Sequence, residues 1–288
     1  MHTKQLALPL LLALSCGAAR ADVIPFLGAA QQFAVLGAQS VTNTGATTLH
    51  GDLGAAQAAA ITGASGITFV AGGAPHGDDA AARQARTDAN VAYARLAALA
   101  GGTDLSGRDL GSVGSLTSGI YRYAAAAALT GTLTLDFAND PTGIIVFLIG
   151  SALTTASDSV VNVLNATSSN GIYFQVGSSA TLGDHSIFAG NILAAQSVTF
   201  APASGIVCGR ALALGATVTL TGNTVSSDCN AYAPTGLAND YGSMGYSGYG
   251  MPAAAPAPVS GKVPEPATPA LFMLGLCAAA ALRRRPRR

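Results

Sequence analysis

The sequence predicts a mainly β protein: a β-solenoid of about six three-strand coils, with one long α-helix packed along one face. Three observations predict it. Short apolar strands recur between residues 119 and 229, separated by Gly, Ser, Asn or Asp corners. One run of helix formers, about 78–100, interrupts the series. The first strand of each unit is apolar on both sides, so both sides must be covered.

The repeating unit has three strand types. The first follows a glycine, at Gly119, Gly143, Gly171, Gly190 and Gly209, with spacings of 24, 28, 19 and 19 residues. The second alternates strictly, as in Leu153-Thr154 and Val198-Thr199. The third includes Thr132 to Phe137, Ser159 to Val163 and Gly205 to Val207. A three-strand unit repeated at this period is a solenoid coil. Segment 33–51 supplies a sixth, since Val35 to Thr42 closely matches Ile192 to Thr199. In the helix, Asp78 and Asp79 suit the positive end of the dipole, and Gly101-Gly102 ends it. Ala81, Ala85, Ala89, Ala92, Leu96 and Leu99 fall on one stripe, small enough to lie close on a flat sheet. Residues one and three after the glycines (Ile144, Val146, Ile172, Phe174, Leu193) and two and four (Ile145, Phe147, Tyr173, Ile192) are apolar, so one side lies inside the solenoid and the other under a cover, for which the helix is the obvious element.

The ends are different objects. The 288 residues carry a formal net charge of zero and only 10% charged side chains. Disorder and a strongly basic nucleic-acid binder are both excluded by that balance. The zero hides +2 over residues 1–21, −6 over 22–262 and +4 over 263–288. Residues 1–21 read as a secretory signal: Lys4, the apolar Leu6 to Leu14, and Ala19-Arg20-Ala21 as the cleavage site. Cys16 raises a lipoprotein reading, but Ala13-Leu14-Ser15 is a poor context for it. Residues 22–230 form the folded domain, and 231–262, rich in Gly, Ser, Tyr, Ala and Pro, read as a flexible spacer. The end, 263–288, joins Pro264, Glu265 and Pro266 to an apolar stretch Ala267 to Leu282 and five arginines. This tripartite tail resembles the PEP-CTERM sorting signal of Gram-negative bacteria. The resemblance implies cleavage by an exosortase and delivery to the cell surface or exopolysaccharide matrix. A plain membrane anchor is the alternative, and the membrane is met only through this tail before processing. Of four cysteines, only Cys208 and Cys229 lie outside the removable ends, which reads as one disulfide in a secreted chain.

The second strand type carries the candidate site. With Leu129, Leu153, Leu182, Val198, Val218 and Val41 inward, two outward columns result. One is Thr42, Thr130, Thr154, Thr181, Thr199 and Thr219. The other is Ser40, Ala128, Ala152, Ser179, Ser197 and Thr217. Coils stack about 4.8 Å apart and alternate residues lie about 6.6 Å apart, giving a flat, uncharged grid of hydroxyls and methyls. Such a grid suits ordering water into an ice-like lattice, whereas charges hydrate too strongly and irregularly.

The span from about Phe33 to Cys229 resembles the ice-binding-protein family of bacteria, fungi and algae. The telling stretches are Asn43-Thr44-Gly45-Ala46-Thr47, His50-Gly51-Asp52-Leu53-Gly54, Gly177 to Gly183 and Gly209 to Ala213. The resemblance implies a right-handed discontinuous β-solenoid with a long helix alongside. It also implies a face bearing Thr-(Ala/Gly)-x-(Thr/Asn) motifs, matched by Thr44 to Thr47 and Thr221 to Thr224, in part by Thr130 to Leu133, and not by Ala201-Pro202-Ala203. The expected partner is ice or ordered water. A structural or adhesive matrix protein on the same scaffold is the alternative. A solenoid lyase would need clustered carboxylates; Asp158 and Asp184 are candidates at coil corners, but corner aspartates usually serve turns. His50, His76 and His185 read as isolated turn or surface residues, so no catalytic group, metal or cofactor is expected.

Overall fold

The computed structural model describes residues 26–55, 61–70, 72–138, 140–229 and 246. The expected signal at 1–21 and sorting tail at 263–288, and all of the expected spacer except Tyr246, lie outside the described residues. Among the described residues every strand pairing is parallel, and the strands wind into three faces.

The first face runs in the spatial order Pro75–Gly77, Asp52–Ala55, Phe33–Gly37, Gly205–Ala213, Ile187–Ala194, Gly171–Val176, Ile144–Ile149, Gly119–Tyr123 and Thr103–Asp104. The second holds seven strands in the order Ala127–Leu129, Leu153–Thr155, Ala180–Leu182, Val198–Phe200, Val218–Thr221, Val41–Thr44 and Ile61–Thr62. That is one strand more than the six units read from the repeats; the added unit is Asp52–Ala55 with Ile61–Thr62 and Ile67–Val70. The third face includes Thr132–Asp136, Val160–Leu164, Thr224–Ser226, Thr47–His50 and Ile67–Val70.

Chain order and spatial order differ. The two N-terminal coils do not stack on the coil that follows them in sequence. The first of them pairs instead with the last one, Val35 opposite Ala211 and Val41 opposite Val218, and the second stacks on the first. The helix Ala80–Ala97 makes this possible. Its 18 residues span about 27 Å, carrying the chain past several coils at about 4.8 Å each. From its far end, coils are laid down back towards the first two.

The helix is shorter than the 78–100 expected, because its ends are set by specific groups. Asp79 is the N-cap, its carboxylate accepting from the Ala82 N–H at 2.9 Å. That hydrogen bond and the one to His76 hold the Asp79 carboxyl below its ordinary pKa. Asp78 lies outside with φ of 51° rather than in the first turn. The buried stripe is Ala82, Ala85, Ala89, Ala92 and Leu96; Ala81 is exposed, since it lies about 100° around the helix from Ala82. The stripe packs on Val146, Leu148, Tyr173, Leu193, Leu212 and Leu36.

Under the first face, the inner side contributes Ile145, Phe147, Ile149, Ile172, Phe174, Val176 and Ile192 to the solenoid core. Counting from each glycine groups Ile172 with Ile144. The register pairs Ile172 with Ile145 and Gly171 with Ile144, because the glycines do not form one column. Tyr121, Phe147, Phe174 and Phe188 stack along the axis with ring centroids 5.5, 4.5 and 4.7 Å apart.

The strands Ile187–Ala194 and Gly205–Ala213 turn the corner between the third and first faces without a loop. The bend falls at Gly190 (φ 112°) and Gly209 (φ 154°). A Cβ on Gly209 would lie 1.9 Å from the Gly190 carbonyl oxygen, so only glycine permits these coils to stack there. Cys208 and Cys229 form the expected disulfide. Tyr246, within the stretch read as spacer, is fully buried against the core, so the flexible reading does not hold at that residue.

Candidate functional site: the threonine sheet

The second face owes its flatness to strict alternation. Val41, Leu153, Ala180, Val198 and Val218 form one buried inward row, and Leu129, Leu182, Phe200 and Leu220 belong to the next. The outward residue between the two rows is a threonine in six neighbouring strands. Thr154 pairs with Thr181, Thr181 with Thr199, Thr199 with Thr219, Thr219 with Thr42, and Thr42 with Thr62. No described residue hydrogen-bonds to these six side-chain hydroxyls, which leaves them to solvent.

The column differs from the expected one at its ends. Thr130 does not belong to it; Ala128 stands opposite Thr154, and Leu129 opposite Thr155. A slide of two residues keeps the inward and outward pattern, so alternation alone could not reveal the offset. Thr62 joins at the other end and was missed, although Ile61-Thr62 has the same apolar-threonine form as Val41-Thr42.

Beside it, continuing the same register, runs a column of Ser40, Thr217, Ser197, Ser179 and Ala152. Ala128, placed here from sequence, gives way to Ala126 by the same two-residue offset. These hydroxyls are not all free for solvent. Ser40 Oγ and Thr217 Oγ1 are 2.9 Å apart, and Ser197 Oγ donates to Ser179 Oγ at 2.9 Å. On the other flank Thr44 pairs with Thr221, and Thr130 falls at this corner.

The Thr-Gly-x-Thr motifs cross corners and do not lie flat on the sheet. Gly45 and Gly222 take φ of 84° and 62°, and the chain turns there onto the third face. Thr47 is therefore not a surface residue. It is 1% exposed, donates to Asn43 Oδ1 at 2.6 Å and accepts from the Asn223 N–H at 3.1 Å. Thr224 lies on the third face, between Gly205 and Thr48. The buried Asn223 donates to the carbonyls of Ala201 and Ser204 at 2.8 Å each. Corner side chains thus saturate backbone groups that the turns leave unpaired, and hold adjacent coils in register.

None of the residues in the three columns is ionisable. Charge lies elsewhere. His76 is not isolated: its Nδ1 is 2.7 Å from Asp79 and its Nε2 is 3.5 Å from Asp52, at the start of the helix. Asp158 and Asp184 are neighbours at a corner, where the Asp158 N–H donates to the Asp184 carbonyl at 2.9 Å. Among the described residues there is no group of three or more His, Cys, Asp or Glu able to hold a metal ion.

Residues 35–226, two thirds of the chain, match the model of the ice-binding-like family. The chain belongs to the ice-binding-like family. It is 44% identical over 211 residues to an ice-binding protein of Nostoc sp., covering 73% of this chain and 77% of that one. It is 34% identical over 148 residues to ice-binding protein 1 of Shewanella frigidimarina, half of this chain but only 16% of that protein. The crystal structure of an ice-binding protein from the Antarctic ascomycete Antarctomyces psychrotrophicus is similar, with a TM-score of 0.64 at 35% identity, covering 69% of this chain and 96% of that one. Residues 262–288 match the PEP-CTERM protein-sorting motif. In this ice-binding-like chain the threonine sheet is therefore set on a family fold, with a protein-sorting motif after it.

Proposed function

We propose that the protein binds ice through the threonine sheet, as a secreted protein without catalytic activity. The observation that carries the reading is the column of six threonines in register, with hydroxyls that no described residue uses, on a face without charge among the described residues. Methyls and hydroxyls repeating every ~4.8 Å hold water in a regular layer that can merge with a crystal surface. The packed core behind them keeps the spacing from relaxing. The contact residues are Thr62, Thr42, Thr219, Thr199, Thr181 and Thr154, with Ser40, Thr217, Ser197 and Ser179 beside them and Thr44, Thr221 and Thr130 at the flank. The names of the relatives support the same partner.

The sorting motif supports a role outside the cell. We read residues 1–21 as a removed signal and 263–288 as an exosortase substrate in a Gram-negative bacterium, with the cell surface or exopolysaccharide matrix as destination. Thermal hysteresis and ice-recrystallisation assays on the purified protein test the function. Wild type is expected to be active, and Thr181→Lys and Thr199→Lys to lose most activity at unchanged melting temperature. An inactive wild type, or a fully active Thr181→Lys, overturns the reading.

A further inference from the structure

The outer side of the first face changes character along its length. Phe174 and Val176 belong to the solenoid core, so Gln175 between them lies on the outer side, which the helix covers. In register, the outer row that holds it reads Leu212, Leu193, Gln175, Leu148, Arg122 and Asp104. The helix alanines close over the leucines at one end. Towards the other end the helix stops at Ala97, and Tyr93 and Ala97 form one wall of a cleft of about 590 Å³. Gln175, Leu148, Arg122 and Asp104 line it from the row. At the coil corner the cleft meets Ala124, Gly150 and Gly177, which have little or no side chain to fill it. That volume lies within the ~300–1,000 Å³ of small-ligand sites.

The polar groups of the cleft are of mixed kind. Gln175 is only 8% exposed, between Leu193 and Leu148, and its side-chain amide bonds to no described residue. A buried amide costs stability unless it is paired, and leucine at this position would avoid that cost. Arg122 Nε and Nη2 donate to the Gly101 and Leu99 carbonyls. This fixes the guanidinium at the end of the cleft with further N–H groups to give. Asp104, its neighbour in the row, accepts from the Ser106 N–H at 2.9 Å and keeps further acceptor capacity. Tyr93 adds a ring and a hydroxyl, the latter 3.5 Å from the Val176 carbonyl. One cation, one anion and an amide that both gives and takes make a neutral set. An anionic ligand would meet Asp104, and an apolar one would leave Gln175 unpaired. Vicinal hydroxyls, each donor and acceptor, on a ring with apolar C–H faces fit the whole set.

We propose that this cleft binds a neutral sugar unit, with Tyr93 against the apolar face of the ring and Gln175, Arg122 and Asp104 on its hydroxyls. The unit is a free sugar or one residue of a polysaccharide. No lining residue belongs to the threonine columns, so the site stands independently of the ice-binding reading.

Backbone amide shifts of the full chain, followed by NMR titration, test the site. The probes are glucose, galactose and mannose as free sugars, and dextran, galactan and mannan as chains of the same units. At least one is expected to shift the Leu148, Gln175 and Gly177 amides at millimolar concentration and to leave Thr199 on the threonine sheet in place. Gln175→Leu is expected to weaken that binding roughly tenfold at an equal or higher melting temperature. Tyr93→Leu is expected to weaken it as well. Tighter binding of a chain than of its own free sugar assigns the polysaccharide as occupant, and equal affinity assigns the free sugar. The proposal is overturned if no probe shifts the cleft amides, or if Gln175→Leu binds as tightly as wild type. It is also overturned if sodium acetate or phosphate shifts those amides where the sugars do not.

Discussion

Thr47 and Thr181 show how little residue type says about role. Both are threonines in apolar-rich strands. Thr181 faces solvent in the middle of the column, while Thr47 bridges Asn43 and Asn223 inside a corner. Thr47→Val removes a buried acceptor and donor together, leaving two asparagine groups unpaired, and is expected to cost about 1–3 kcal/mol. Urea unfolding measures that loss, and ice activity per folded molecule should be retained. Thr181→Lys is its mirror image, with stability kept and ice activity lost. A corner threonine and a sheet threonine are indistinguishable in sequence until the turn that precedes one of them is located.

At the scale of elements, the helix works as both cover and crossing. Its buried stripe is alanine except for Leu96, so that it lies close on the first face. Ala89→Leu pushes extra methylenes into the layer formed with Tyr173 and Leu193 and is expected to destabilise by about 1–3 kcal/mol, read as a lower melting temperature. The helix start is pH-sensitive. The Asp79 carboxyl is held below its ordinary pKa by the Ala82 N–H and by His76, so its contribution is present above the unfolded value of 3.8. It is lost as pH falls through the lower folded value. Circular dichroism melts are expected to show an acid-induced drop in stability that is smaller in Asp79→Ala than in wild type; equal drops would remove Asp79 as its source.

At the scale of the whole molecule, the order of coils is closed by long-range pairing. The N-terminal coils dock on the C-terminal one, and the Cys208–Cys229 disulfide lies beside that junction. It closes a separation of 21 residues, which in the chain-entropy model stabilises by about 3 kcal/mol. Reduction of the disulfide is expected to lower the midpoint of urea unfolding correspondingly, while the threonine sheet, far from either sulfur in the register, keeps its activity below that midpoint. Loss of ice activity on reduction under native conditions would show that the junction, not the sheet alone, sustains the site.

The sequence by itself determined the repeat, the inward and outward sense of the strands of the second face, the helix and the cysteine pair. These depend on local chemistry: alternation, propensity and composition are written within one coil. The tertiary structure alone decided which residues stand beside which. A two-residue slide leaves alternation unchanged, so the sequence could not choose between Ala128 and Thr130 opposite Thr154. The docking of the first coils on the last depends on the length of the helix that carries the chain between them. The burial of Tyr246 depends on the core cluster, which exists only once the coils are stacked.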